Sequence, residues 1–424
     1  MTTETPDMLI QRRALAVLRR RFAAARVVVV NGPRQSGKTA LLGMLHREVG
    51  GTYVSLDDAP DLRLARTDPA GFVSGYTEPM LIDEIQRGGD RLVLAIKSAT
   101  DRTQRKSRFV LAGSTRFLTE PRLTESLAGR VRFVDLWPLS QGEIDGAPDG
   151  FVDAAFTEPE RVGRSSVGEV DRRSVMRRVV RGGLPEAVQM EHVRDRREFL
   201  VDYARALATK DVREIADLEH AADLERIIRL LAARTSAELN VADIARAIER
   251  PVNTMRRYLP LFETTYVHYS VPAWSRNNSA KVVKRPKIHL VDSGLAAGLI
   301  GTDAEGLSHP ASSSSGPLLE TFVAGEIARQ LTWSATEATL FHWRDRDGAE
   351  VDLVLETPDG HVVGIEVKAS VDSSPDDFAG LRRLRDRLGS QFVAGFLIHC
   401  GERSRPAGDR LWSVPVAALW ETPA

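Results

Sequence analysis

The sequence predicts an α/β protein of more than one domain, and three observations carry that prediction. Short apolar runs alternate with charged helical stretches through the first 150 residues, the pattern of buried parallel strands joined by helical crossovers. The same alternation returns after residue 318. A chain of 424 residues is also longer than one hydrophobic core normally serves. The expected organisation is an α/β domain over 1–150, a helical segment with a winged helix over 151–302, a flexible linker at 303–317 and a second α/β domain over 318–424.

The first domain opens with a basic amphipathic helix over 8–25. Strands follow in "RVVVVN", "TYVSLDD", "PMLIDE", "RFVLAGS" and "RFVDLW", with helices between them and a Gly/Pro/Asp-rich close at 145–150. Residues 155–220 read as charged helices interrupted by "GGLPE". Three more helices and a strand fill 222–272, and "KVVKRPKIHLVD" supplies the return strand of a hairpin. The Ser-rich stretch at 303–317 reads as a low-complexity connector. Beyond it come a helix from Leu318, strands "TLFHWRD", "EVDLVLE" and "VVGIEVKA", a helix near 376–388 and strand "FVAGFLIH".

Composition narrows the function classes. Basic and acidic residues balance at 58 each, which argues against a uniformly basic nucleic-acid coat but leaves a local basic groove open. Only eight of the basic residues are lysines, so 58 − 8 = 50 are arginines. The single cysteine, Cys400, excludes an internal disulfide and a cysteine-cluster metal site. No run of about 18 apolar residues and no signal-peptide pattern occurs, so the expectation is a cytoplasmic protein with no membrane partner.

Residues 32–39, "GPRQSGKT", fill every fixed position of G-x-x-x-x-G-K-T between a strand and a helix. Such a turn wraps backbone N–H groups around phosphate oxygens at a helix N-terminus. Gly32, Pro33, Arg34, Gln35, Ser36, Gly37, Lys38 and Thr39 therefore form the expected nucleotide cradle. Lys38 would reach the β- and γ-phosphates, and Thr39 would ligate Mg²⁺. In "PMLIDEIQR" an apolar strand ends in two acids. Asp83 would hold the Mg²⁺ shell and Glu84 would deprotonate the attacking water. An acid pair, with "TYVSLDD" lying between the two motifs, points to a hydrolysing ATPase of the additional-strand kind. Ser114 or Thr115, after "VLAG", occupies the place of a polar sensor of the γ-phosphate. Arg130 and Arg132 are candidates to complete a neighbouring copy's site in a homo-oligomer, such as a hexameric or other ring; the alternative for each is a surface arginine paired with a nearby acid.

"GPRQSGKTALL", "LIDEIQR", "LAGSTRF", "SLAGRVRFVDLWPLS", "GGLPE" and "KRPKIHLVDSGL" together resemble a widespread prokaryotic family. Its members join an AAA-type P-loop ATPase to a C-terminal domain of unknown function with a restriction-endonuclease-like fold. The resemblance spans nearly the whole chain and implies architecture more firmly than activity.

"VADIARAIERPVNTMRRYLPLFE" has helix-turn-helix spacing. Ile244, Ile248, Met255 and Leu259 would face inward, leaving Asn253, Thr254, Arg256 and Arg257 outward to meet phosphates and base edges. The hairpin after it would act as a wing, with Lys281, Lys284, Arg285 and Lys287 on phosphates. A lid or protein-interaction module is the other reading of this segment.

In the last domain, Asp352 and Glu366 fall on adjacent antiparallel strands. Lys368 shares the face of Glu366 by the two-residue period. With Glu320 on the preceding helix they form a D…E-x-K arrangement similar to that of restriction-endonuclease-like nucleases. Glu320, Asp352 and Glu366 would bind Mg²⁺ or Mn²⁺, and Lys368 would position a nucleophilic water. His342, Trp343 and Arg344 would line its mouth, with the core as the favoured alternative for Trp343. The whole reads as an ATP- and Mg²⁺-dependent machine acting on DNA, branched or partly single-stranded, with or without cleavage. The alternative is a nucleotide-controlled switch or regulator whose C-terminal part binds protein or DNA without cutting it.

Overall fold

A computed structural model describes residues 10–114, 129–164, 168, 170–211, 223–276 and 285–424. The chain forms two compact units, Met1–Leu139 and Ser140–Ala424.

The first unit is built on a five-stranded, wholly parallel sheet in the order β2-β3-β4-β1-β5. Its strands are β1 Val27–Asn31, β2 Thr52–Ser55, β3 Met80–Asp83, β4 Phe109–Gly113 and β5 Val131–Asp135. β1, β3 and β4 are buried along their whole length, which is why they read as unbroken apolar runs. β4 pairs with β1 on one side and β3 on the other. The phosphate-loop strand and the acid-pair strand are therefore not neighbours. β2, which lies between the two motifs in sequence, is an outer strand in space, and β4 is the strand that separates them. The N-terminal helix begins at Ala14 and buries Val17, Leu18 and Phe22.

The unit closes at Leu139, earlier than the boundary expected at 150. The reason is local: Ser140 and Glu143 form a capping box that starts helix Gln141–Asp145. The amide of Gln141 then donates to Glu326 at 2.9 Å, and those of Asp149 and Gly150 to Trp420 and Thr422 carbonyls.

The second unit shares one hydrophobic core running from Phe151 to Trp420. Leu231, Ile244, Met255 and Leu290 of the middle segment belong to the same core as Phe322, Leu353 and Phe396 of the C-terminal part. The segment expected as a flexible linker carries helix Ala304–Ser308, capped by Asp303, with Leu307 fully buried, and the start of helix Ser315–Trp333. The serines that suggested a linker instead sit around that helix start.

The middle segment packs helices Asp223–Ala233, Val241–Ile248 and Val252–Thr264 against an antiparallel hairpin, β6 His268–Val271 with β7 Lys287–Leu290. Ile244, Ile248, Met255 and Leu259 are all buried. "GGLPE" and "VDSGL" meet: the Asp292 carboxylate accepts from the Gly183 amide at 2.6 Å and caps helix Ser293–Ile300 through Leu295. A side chain on Gly182, which has φ +68°, would collide with that carboxylate.

The C-terminal part is a six-stranded mixed sheet in the order β12-β13-β11-β10-β9-β8. Its strands are β8 Thr339–Arg344, β9 Glu350–Glu356, β10 Val362–Lys368, β11 Phe392–His399, β12 Arg405–Gly408 and β13 Leu411–Pro415. β8, β9 and β10 form an antiparallel meander, and β10 runs parallel to β11 through helix Ala379–Leu388. Among the described residues no helix is long and apolar enough to cross a membrane.

Candidate functional site

The residues singled out by sequence gather at two places, one in each unit. In the first, β1 ends at Asn31 and the chain turns through 32–37 into helix Lys38–Val49. Two positions of that turn require glycine. Gly37 has φ +93°, and a Cβ on Gly32 would lie 2.2 Å from the Leu136 carbonyl oxygen. Lys38 is buried, and its Nζ donates to the carbonyls of Gly32 at 2.9 Å and Pro33 at 2.7 Å. The ammonium thus lies across the inside of the turn, where phosphate oxygens would take over its hydrogen bonds. The first turn of the helix carries no acid, so its N-terminal partial charge faces the turn undiminished.

Opposite the turn, the Thr39 hydroxyl donates to Asp83 Oδ2 at 2.6 Å, and the Tyr53 phenol reaches the same oxygen at 3.1 Å. Burial first, and then the charge of Asp83, hold the Tyr53 phenol well above its usual range, so it remains a donor. The Glu84 amide donates to Asp83 Oδ1 at 2.9 Å. Glu84 itself sits in the left-handed region, φ +51°, a conformation that costs a non-glycine residue about 1 kcal/mol or more. That bend turns the chain as it leaves β3.

Two residues at this site were not picked out from sequence. Gln86 Nε2 donates to Glu84 Oε2 and to Ser114 Oγ, the latter at 3.3 Å, so it joins the expected base to the expected sensor. Its signal was a polar side chain two positions after the base in "LIDEIQR". Arg12 donates to the carbonyls of Ser36 at 2.6 Å and Trp137 at 2.7 Å, bracing the outside of the turn. Nothing local marks it, since its partners lie 24 and 125 residues away.

Arg130 lies at the other edge of the sheet. Its carbonyl accepts from Val27 at the start of β1, and its guanidinium pairs with Asp101 at 2.6 Å. Thr115 lies outside the described residues. The turn, Lys38, Thr39 and Asp83 fit a nucleotide triphosphate with Mg²⁺: amides and an ammonium for the phosphates, and a hydroxyl and a carboxylate for the hard cation.

The second site lies where β7 meets the C-terminal sheet. Lys287, expected to face DNA phosphates, is only 5% exposed. Its Nζ donates to Glu320 Oε1 at 2.8 Å, Asp352 Oδ1 at 3.0 Å and Glu350 Oε1 at 3.3 Å. Three ammonium protons thereby meet three carboxylates, and none remains for a phosphate. The other Asp352 oxygen accepts from the Val367 amide at 3.0 Å. Lys368 donates to Glu366 Oε1 at 2.9 Å, while the buried Glu366 Oε2 has no hydrogen-bond partner.

Burial, with the charge of Asp352 adding to it, pushes the Glu320 and Glu366 carboxyls up to about 8, against the pull of Lys287 and Lys368. Burial alone would lower the Lys287 ammonium, but Asp352, Glu320 and Glu350 hold it above its usual value. Glu320, Asp352 and Glu366 were expected to ligate a metal. Glu320 and Asp352 are instead filled by an ammonium, and Glu366 by Lys368. Among the described residues no group of three His, Cys, Asp or Glu side chains is arranged to hold a metal ion. A divalent cation does not fit this arrangement.

On helix Val252–Thr264, Asn253, Arg256 and Arg257 are exposed and Thr254 is half-buried, and Arg285 is exposed at the base of the hairpin. Lys281 and Lys284 lie outside the described residues. Beside the hairpin a cleft of about 690 Å³ is lined by Arg285, His342, Arg344, Arg383 and Arg387 and also by the acids Glu238, Asp345 and Asp347. Arg383 is paired to Asp345 and Asp347, and Arg344 to Glu238. His342 hydrogen-bonds the Arg285 carbonyl at 3.1 Å, whereas Trp343 belongs to the core.

The parallel sheet, phosphate turn and paired acids are the features of a P-loop nucleotide-binding domain, and residues 24–145 match the family model for an AAA domain. Residues 172–306 and 315–419 match two domains of unknown function, DUF8612 and DUF4143. The chain is similar over 423 residues, at 28% identity, to the uncharacterized proteins Rv2008c of Mycobacterium tuberculosis and Mb2031c of Mycobacterium bovis, covering 99% of this chain and 87% of each relative. Among solved structures it is similar to the Walker-type ATPase PABY2304 of Pyrococcus abyssi, at 13% identity and TM-score 0.41, over 70% of this chain and 97% of that one. A more distant likeness is to the RuvB Holliday junction branch migration motor of Thermotoga maritima, at 15% identity and TM-score 0.28, over 63% and 92% of the two chains.

Proposed function

We propose that this protein hydrolyses ATP with Mg²⁺ and uses the cycle to bind or remodel DNA. The observation that carries the first part is the chain Thr39–Asp83–Glu84–Gln86–Ser114, which lies at one end of the sheet beside the phosphate turn. In this reading Lys38 exchanges the carbonyls of Gly32 and Pro33 for phosphate oxygens, and the turn amides take the remainder. Thr39 and Asp83 are the residues that would hold Mg²⁺, which neutralises charge developing on the phosphates. Glu84 accepts the proton of the attacking water, with Gln86 fixing its carboxylate and Ser114 facing the reacting phosphate.

The second part rests on the exposed Asn253, Arg256 and Arg257 and on Arg285 beside a cleft lined by both arginines and acids. The three helices and hairpin support a winged-helix reading of residues 223–290, and the helix, meander, helix and parallel strand of 315–399 support a restriction-endonuclease-like one. The absence of an evident base-reading pattern favours DNA of unusual shape, branched or partly single-stranded. A nucleotide-controlled switch that binds without cutting is the second reading, and the seating of Lys287 among the carboxylates favours it over cleavage. Completion of the ATP site by another copy through Arg130 requires its pair with Asp101 to open.

The test is ATP turnover measured with and without a panel of duplex, single-stranded and branched DNA. Stimulation by one DNA form supports the motor reading, and indifference to all supports the switch. Glu84→Gln is expected to abolish turnover while ATP binding persists; continued turnover removes Glu84 as the base.

A further inference from the structure

The carboxylate cluster of the second unit has the sequence signature of a metal site and the geometry of something else. Glu320 comes from helix Ser315–Trp333, Glu350 and Asp352 from β9, and Lys287 from the hairpin strand β7. The ammonium lies 2.8 to 3.3 Å from one oxygen of each acid. These are ammonium distances, since a divalent cation in the same place would draw its oxygens to about 2.0–2.6 Å. The ammonium and such a cation cannot share the position, because their repulsion would act where little water screens it.

The strand that carries Lys287 is itself clamped. β7 pairs with β6 along its length, and on its other side Glu238 forms an antiparallel bridge with Lys287. The amide of Leu239 donates to the Pro286 carbonyl at 2.8 Å, that of Ser236 to the Ile288 carbonyl at 2.7 Å, and that of Ile288 to the Ala237 carbonyl at 3.0 Å. The following apolar residues, Ile288 and Leu290, are anchored in the core. The backbone that carries the lysine is therefore held on both sides, so the ammonium is delivered from a fixed point. This is fixed construction, in contrast to a plug on a loop.

We propose that Lys287 is the resident cation of this site: an ammonium supplied by the chain in the position of a metal ion, joining the hairpin to the C-terminal sheet and closing the cluster to divalent cations. The role of Lys368 follows. Tied to Glu366 at 2.9 Å, it donates to the one carboxyl group of the predicted set that Lys287 is not bonded to. The two lysines and the carboxyls make a buried ionic joint whose groups are costly to leave unpaired. The C-terminal sheet then contributes binding surface and no metal-dependent cleavage. This inference is independent of the ATP-hydrolysis reading, and its failure would leave that reading untouched.

The experiment uses the full chain with Asp83→Asn, which removes the cation site at the phosphate turn, and titrates Mn²⁺ by the electron paramagnetic resonance of the free ion. With Lys287 in place no Mn²⁺ site is expected up to about 1 mM, the weak end for protein oxygen sites. Adding Lys287→Met is expected to create one site at least about tenfold tighter than this limit, and adding Asp352→Asn to abolish it again. A Mn²⁺ site that exists with Lys287 intact and disappears with Asp352→Asn would overturn the proposal. So would a folded Lys287→Met chain that gains no site. The first arm leaves Lys287 unchanged, so it decides the matter even where Lys287→Met does not fold.

Discussion

The Thr39 hydroxyl donates to the Asp83 carboxylate at 2.6 Å, joining the helix that follows the phosphate turn to a strand that is not a neighbour of β1. Two residues 44 positions apart in sequence are thereby brought together at the point where the proposed function puts one hard cation. Thr39→Ser retains the hydroxyl and is expected to keep turnover within about tenfold of the parent. Thr39→Ala and Asp83→Asn should each lower kcat by about 10²–10³-fold, the size of a lost electrostatic contact to a developing charge. Steady-state ATPase rates across a Mg²⁺ series check this, and equal activity of Thr39→Ala and Thr39→Ser would remove the hydroxyl from the site.

Gln86 hydrogen-bonds Glu84 and Ser114, so under the proposed function it is a positioning residue. Gln86→Ala should lower kcat by about 10–100-fold through misplacement of the carboxylate, while KM for ATP stays near its parent value. A purely structural role would move KM and thermal stability together with kcat. Gln86→Asn, too short to reach both partners, should resemble the alanine variant.

Local spacing made one site readable and left the other half-read. The phosphate turn, Asp83 and Glu84 are written in contiguous stretches whose residue types follow from what they bind. Asp352 and Glu366 were readable as neighbours because their strands are consecutive and pair antiparallel. Lys287 was not readable, because it sits in a run of basic residues that looks solvated. Its partners stand 33, 63 and 65 residues further along the chain. That the middle segment and the C-terminal part form one compact unit was unreadable for a related reason. Composition marks where a chain is polar, but Phe322 and Leu231 joining one core is a tertiary fact. β12 was not readable because "RPAG" carries a proline and is largely exposed at the sheet edge.

Glu326 sets a pH dependence that can be isolated. It lies fully inside the second unit, accepting from the Gln141 amide at 2.9 Å and from Arg329 at 3.2 Å. Burial pushes its carboxyl up to about 7; Arg329 opposes the rise, while Asp149 and Glu143 add to it. The folded carboxyl therefore holds a proton between the unfolded value of 4.5 and about 7 that the unfolded chain has released. Its contribution to stability is full below 4.5, falls as pH rises through that window and is lost above about 7. Glu326→Gln should remove this slope, gaining on the parent by roughly 3 kcal/mol at most between pH 4.5 and pH 8. Denaturant titrations of both proteins across that range test it, and parallel curves would show that Glu326 stays ionised throughout.

Arg256 and Arg257 lie exposed on helix Val252–Thr264, and Arg257 stacks over the Tyr258 ring with 5.5 Å to its centroid. That stacking holds one guanidinium close to the helix surface, and Arg256 beside it is exposed. If both meet phosphates, each alanine substitution should weaken binding to every DNA form by a similar factor. Each should also reduce the slope of log affinity against log salt by about one. Contact with base edges would give a different result: loss concentrated on certain sequences, with the salt slope nearly unchanged. Binding isotherms at several salt concentrations, for random and branched DNA, separate the two. The phosphate outcome is expected, because a helix reading shape needs charge at its surface and no sequence code.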